Sequence, residues 1–169
     1  FDVETYRVPS IEDIELGYRI RRAGFRITVD PTLLGKHLKV WTPRNALFTD
    51  IFRRALPWSR LMIAREGVGD DLNTSKAERA KALVAGLLIL SVLALPFAPQ
   101  FWPLPILLSA CALALNWPLF SFMRRAGGVV FALGALGWHQ LYYVYSASAF
   151  VWCLFEYHIL GRKDRLHVP

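Results

Sequence analysis

Apolar residues gather into three long stretches, at residues 82–99, 101–123 and 129–157. Charge lies ahead of them: residues 1–81 hold 15 Lys and Arg and 11 Asp and Glu, whereas residues 82–161 hold only Arg124, Arg125 and Glu156. A helix rises ~1.5 Å per residue, so about 20 residues cross a hydrocarbon layer of ~30 Å. The second and third stretches have that length, and the first reaches it if Ala80 and Lys81 join it with the ammonium snorkelling to the surface. Pro96, Pro99 and Pro103 predict a tight uncharged turn after the first stretch, and Arg124, Arg125, Gly127 and Gly128 a break after the second. The pattern predicts about three transmembrane helices over residues 80–160 and a basic tail at 161–169.

Lys76, Arg79 and Lys81 precede the first span, and Arg124 and Arg125 lie between the second and third. By the positive-inside rule both groups are cytoplasmic, which predicts a multi-pass protein of the cell membrane with its N-terminal part facing the cytoplasm. Three crossings would carry Arg162, Lys163 and Arg165 to the other side, so re-entry of one stretch without crossing stays open. The third stretch carries His139, Gln140, Tyr142, Tyr143, Tyr145, Ser146 and Ser148, too polar for a helix facing lipid all round. Such groups face a bundle interior or a cavity, serving interhelical hydrogen bonds or a lipid-binding groove.

In the charged part, Ser10-Ile11-Glu12-Asp13 fits a capping box in which Ser10 caps and Asp13 reaches back, starting a helix over residues 11–23. Glu12, Asp13 and Glu15 suit its first turn, Arg19, Arg21 and Arg22 its last, and Gly24 its C′ position. Residues 25–29 and 33–41 read as short strands separated by an Asp30-Pro31 turn. In the second, period-two alternation puts His37, Lys39 and Trp41 on one face, a set able to grip a phosphate or sugar. Residues 47–65 repeat apolar side chains at three- and four-residue steps among Arg53, Arg54, Arg60 and Arg65, as in an interfacial helix that Pro57 must kink or split. Asp70 and Asp71 either bind a cation or cap the next helix.

The apolar content, 54% of residues, excludes disorder. The only cysteines, Cys111 and Cys153, sit in apolar runs, which excludes a disulfide scaffold. A net charge of +7 is compatible with nucleic acid, but no recognition module accompanies it and the charge hugs the membrane edge. Anionic lipid headgroups are the expected partner, and nucleic acid is not.

The block Pro9-Ser10-Ile11-Glu12-Asp13-Ile14-Glu15-Leu16-Gly17, followed by Arg21-Arg22-Ala23-Gly24-Phe25-Arg26, resembles the later half of a family 2 glycosyltransferase catalytic domain of the GT-A type. Membrane-bound members similar to ceramide glucosyltransferase and cellulose synthase carry an E-D motif, then Q-x-x-R-W, interface helices and membrane helices. The resemblance implies an α+β remnant over residues 1–79, with one helix, short strands and interface helices, ahead of the all-α membrane part. It also implies an inverting hexosyltransferase that moves a sugar from a nucleotide-sugar donor to a lipid or polyprenyl-type acceptor in glycolipid or polysaccharide synthesis.

By the same resemblance Asp13 is the general base and Glu12 orients the acceptor. The Q-x-x-R-W motif falls on His37-Leu38-Lys39-Val40-Trp41, in which Trp41 matches, His37 replaces Gln and Val40 replaces Arg. Lys39 and Trp41 are then expected to bind substrate, with His139 and Gln140 in the third stretch, and His37 to ligate a divalent Mg or Mn. No D-x-D motif occurs, so the chain is expected to be the C-terminal portion of a longer enzyme and inactive alone. The competing expectation is a non-enzymatic polytopic scaffold or transporter fragment whose basic N-terminal segment docks on lipid.

Overall fold

The structure, a computed structural model, describes residues 1–162 apart from Arg7, His37, Lys39, Val68 and Asp71. The chain divides into two compact units, one of Phe1–Gly67 with Ala149–Pro169 and the other of Val68–Ser148.

In the first unit, α1 spans Glu12–Arg22, with the three acids in its first turn and the three arginines in its last, matching both ends of the helix dipole. It stops where expected. Gly24 adopts φ 86°, and the Phe25 amide donates to the Ile20 carbonyl at 3.2 Å. The expected capping box does not form. Ile11 occupies the cap position without a side-chain bond, the Ser10 amide donates to Glu12 Oε2 at 2.6 Å, and Asp13 Oδ1 accepts the adjacent Ile14 amide at 2.9 Å. The Ser10 hydroxyl donates instead to the Arg53 carbonyl at 2.6 Å.

The described residues of 25–29 and 33–41 are exposed and irregular, with Leu34 at 92% exposure, and among the described residues there is no strand. The alternation of apolar residues is present, but alternation alone does not make a strand, which needs a ladder for its backbone groups. The turn survives: Asp30 Oδ1 accepts from the Thr32 amide and hydroxyl at 2.8 and 2.7 Å. The fold-class expectation of an α+β remnant is therefore replaced by helix and irregular chain.

Helical turns resume at α2 (Pro43–Phe48), capped by Thr42 and Asn45, which exchange backbone-to-side-chain bonds of 2.8 and 3.3 Å. They continue through a wide π-helical section at Thr49–Ala55, α3 (Leu56–Leu61) and a second wide section at Met62–Glu66. Pro57 stands in the first turn of α3, where its missing donor is tolerated, so the helix changes register and does not split. Tyr6, Ile11 and Leu61 form the core, with Val8, Ile14, Tyr18 and Trp58 packed around it. Arg60 clamps the last turns of the C-terminal helix: its Nη2 and Nε lie 2.9 and 3.3 Å from Glu156 Oε2, a carboxylate only 3% exposed, with Arg162 3.8 Å from the other oxygen.

In the second unit, α4 (Lys76–Ala94) is capped twice. Ser75 Oγ accepts the Glu78 amide at 3.3 Å, and Asp70 accepts the Lys76 amide at 2.6 Å, so Asp70 takes the capping role expected of the acidic pair. Asp71 lies outside the described residues. α5 (Pro103–Leu115) packs against α4, and α6 runs over Trp117–His158, with its last turns, from Ala149, belonging to the first unit.

Three spans were expected, and one helix among the described residues qualifies: α6 is long and apolar enough, by length and composition, to cross a membrane. The other two stretches fall short because their helices are cut. α4 carries Lys76, Glu78, Arg79 and Lys81 in its first turns and ends before Pro96. α5 ends after 13 residues, where the Asn116 side chain folds back onto the Ala112 carbonyl at 2.8 Å.

Nor is α6 straight. Gly128 has φ 83° and ψ 179°, a combination essentially confined to glycine. A side chain at Gly127 would collide with the Phe131 ring, whose nearest atom stands 2.6 Å from the Cβ position. An unbroken helix would separate Asn116 from Tyr143 by about 40 Å. Asn116 Oδ1 is 3.2 Å from the Tyr143 hydroxyl, so the chain turns back on itself at Gly128.

Candidate functional site

The three acids of the first turn of α1 divide by environment. Glu15 is buried and bonds Arg19 one turn on, with Nε 2.9 Å from Oε1. Glu12 is half-buried and holds the Ser10 amide. Asp13 is exposed, and its one hydrogen bond among the described residues is the weak local one from Ile14. An exposed carboxylate with free lone pairs at a helix N-terminus is able to accept a proton from a passing hydroxyl, and Asp13 alone of the three is placed for it.

Trp41 stands just before α2 with 44% of its surface exposed. His37 and Lys39, the other residues expected to bind donor or metal, lie outside the described residues. Among the described residues no group of three His, Cys, Asp or Glu side chains is arranged to hold a metal ion, and Glu12 is already engaged by Ser10. The described donors thus do not make up a cation site, and no step below passes through one.

His139 and Gln140 belong to the second unit, in a polar cluster that sequence reasoning met only in part. The Tyr143 hydroxyl is the hub. It lies 2.7 Å from Glu78 Oε2, 3.2 Å from Asn116 Oδ1 and 3.0 Å from His139 Nε2. A phenol has one proton, and the charged carboxylate at the shortest distance takes it. With that proton committed, the bond to His139 requires a hydrogen on Nε2, which sets the imidazole tautomer. Lys81 Nζ closes on the other Glu78 oxygen at 2.6 Å. Burial pushes the Glu78 carboxyl up, but the Lys81 ammonium and the Tyr143 hydroxyl outweigh it and hold the group below the ordinary glutamate value.

Around this hub the rings of His139 and Tyr142 stack at 5.5 Å, Tyr145 meets Tyr142 edge-on at 5.6 Å, and Asn73 donates to the Tyr142 hydroxyl at 3.0 Å. Gln140, 8% exposed, keeps both amide atoms buried without a hydrogen-bonding partner among the described residues. An amide left so costs about 1–3 kcal/mol, a reason to expect a polar ligand group or water there.

Sequence reasoning missed Glu78 and Asn116 because neither is unusual in its own helix. The signal was faint: a tyrosine and a histidine four residues apart in an apolar run need polar partners from elsewhere. Comparison with protein-family models, with curated proteins and with solved structures gives no match to this chain.

Proposed function

We propose that the chain is part of a membrane-anchored inverting glycosyltransferase in which Asp13 is the general base. The observation that carries the reading is the division of labour in the first turn of α1: Glu12 and Glu15 are tied to Ser10 and Arg19, and Asp13 is presented to solvent. In the proposed step the acceptor hydroxyl oxygen bonds to the anomeric carbon of a nucleotide sugar. Its proton passes to the Asp13 carboxylate, and the bond from that carbon to the nucleoside diphosphate breaks, the diphosphate leaving with the electron pair. Lys39 and Trp41 are assigned to the donor, and Glu12 to orienting the acceptor, a membrane lipid or polyprenyl-type alcohol. The divalent Mg or Mn that the resemblance implies remains part of the reading, with His37 as its expected ligand.

The membrane is proposed to be the cell membrane, with the N-terminal helices on the cytoplasmic side. Lys76, Arg79 and Lys81, with Arg124 and Arg125, support that orientation and contact with anionic headgroups. The test is Asp13→Asn in the full-length protein, assayed in membranes with a panel of tritiated nucleotide sugars. A base predicts a fall in transfer of about 10²–10⁴-fold with unchanged folding. Full transfer by the variant would overturn the assignment. A non-enzymatic scaffold or transport segment is favoured by one feature, the chain of Glu78, Tyr143 and His139 around a buried tyrosine, and predicts that no donor in the panel is consumed.

A further inference from the structure

We infer that α4 and α5 form a hairpin that enters the hydrocarbon layer of a bilayer from the side bearing Lys76 and returns to that side without crossing. Three observations combine. First, both open ends meet at one point: Glu78 in the first turns of α4 and Asn116 at the end of α5 contact the same Tyr143 hydroxyl, at 2.7 and 3.2 Å. The two helices pack together between that point and the turn at residues 95–102. The depth is set by the shorter arm, the 13 residues of α5, about 20 Å against a hydrocarbon layer of about 30 Å.

Second, the turn suits hydrocarbon. It has no charged side chain, and Phe97, Phe101 and Trp102 are exposed at 89%, 59% and 61%. In lipid every backbone donor must be satisfied internally or be absent. Pro96, Pro99 and Pro103 have none. The amides of Leu95, Phe97, Ala98, Phe101 and Trp102 all donate to carbonyls within the turn or the end of α4, at 2.9–3.2 Å, and among the described residues of the turn only the Gln100 amide makes no such bond. Pro105 removes a further donor from the first turn of α5. The serines of the arms turn inward as well: Ser91 donates to the Leu88 carbonyl and Ser109 to that of Pro105, each at 2.7 Å.

Third, charge is confined to the open end. Lys76, Arg79 and Lys81 stand in the first turns of α4, and none follows until Arg124. Basic residues at the rim complement anionic headgroups, and an apolar tip complements acyl chains. A turn reaching water on the far side would gain from polar side chains, and this one offers Gln100 alone. The inference is independent of the role of Asp13.

The experiment places a single cysteine at the tip. Gln100→Cys and, as a reference, Lys76→Cys are made in the full-length protein with Cys111 and Cys153 replaced by alanine, and reconstituted in vesicles of phosphatidylcholine and phosphatidylglycerol. A membrane-impermeant maleimide is applied from outside, and from inside after loading the lumen. Lys76→Cys reacts from one side only. Gln100→Cys is expected to react from neither side until detergent is added, and a nitroxide attached there is expected to collide with oxygen far more than with a water-soluble nickel chelate. Reaction of Gln100→Cys from the side opposite Lys76→Cys would mean a crossing hairpin. Reaction from the same side would mean a hairpin outside the bilayer. Either result overturns the inference, and the labelling of Lys76→Cys in the same preparation reports that the protein is inserted.

Discussion

Removing the guanidinium of Arg60 is expected to be the most damaging change in the first unit. Glu156 is 3% exposed, and Oε2 receives both Arg60 bonds, at 2.9 and 3.3 Å, from a side chain that is itself only 18% exposed. Breaking one partner of a buried pair typically costs about 3–5 kcal/mol, because the remaining buried charge loses its main compensation. Arg162 stays within 3.8 Å of the other oxygen but is 45% exposed, so it compensates weakly, and Arg60→Met should sit at the lower end, about 3 kcal/mol. The double variant Arg60→Met with Glu156→Leu removes both charges and should recover to within about 1 kcal/mol of the parent, since well-packed apolar residues replace such pairs at little net cost. The assay is reversible unfolding of the full protein in mixed micelles as the fraction of sodium dodecyl sulfate rises, followed by circular dichroism and read as a double-mutant cycle. A loss below about 1 kcal/mol for Arg60→Met would refute the reasoning, and so would a double variant no better than the single one.

Two other outcomes follow from the second unit. Gly128→Ala forces a Cβ into a backbone conformation reserved for glycine and should destabilise by roughly 1–3 kcal/mol in the same assay, whereas Gly134→Ala, where a Cβ has open space and φ is helical, should not. Because the Glu78 carboxyl is held below its ordinary value of 4.5, the unfolded state binds its proton more readily. Its contribution to stability is therefore complete above that value and fades as the pH falls through the lowered one. Tyr143→Phe should cost about 1–3 kcal/mol at neutral pH and flatten this acid dependence, and an unchanged pH profile in that variant would count against the hub described above.

Local chemistry was legible wherever it was satisfied by residues close in the chain. The α1 helix and its stop at Gly24, the Asp30 turn and the capping role of Asp70 each depend on groups within about six positions, so residue type and spacing suffice. Propensity misled where a distant partner decided. Ser10 carries the signature of a cap, but its hydroxyl goes to the Arg53 carbonyl, forty-three residues away. Residues 33–41 alternate as a strand does, yet alternation alone does not make a ladder, and the described residues of this stretch are irregular.

By itself, the sequence determined a basic, helix-forming front and a late stretch long and apolar enough to cross a membrane, because hydrophobic run length and charge placement are properties of the chain and not of its packing. It also marked the first-turn acids and the polar residues near 140. Only the tertiary structure decided which of those acids faces solvent, because packing buries Glu15 and half-buries Glu12 while Asp13 stays exposed. It alone decided that Gly128 folds the last helix back, since one backbone dihedral redirects dozens of residues. That reversal, with the α4–α5 turn, brings Glu78 and Asn116 together at the Tyr143 hydroxyl, from residues spread over sixty-five positions of the chain.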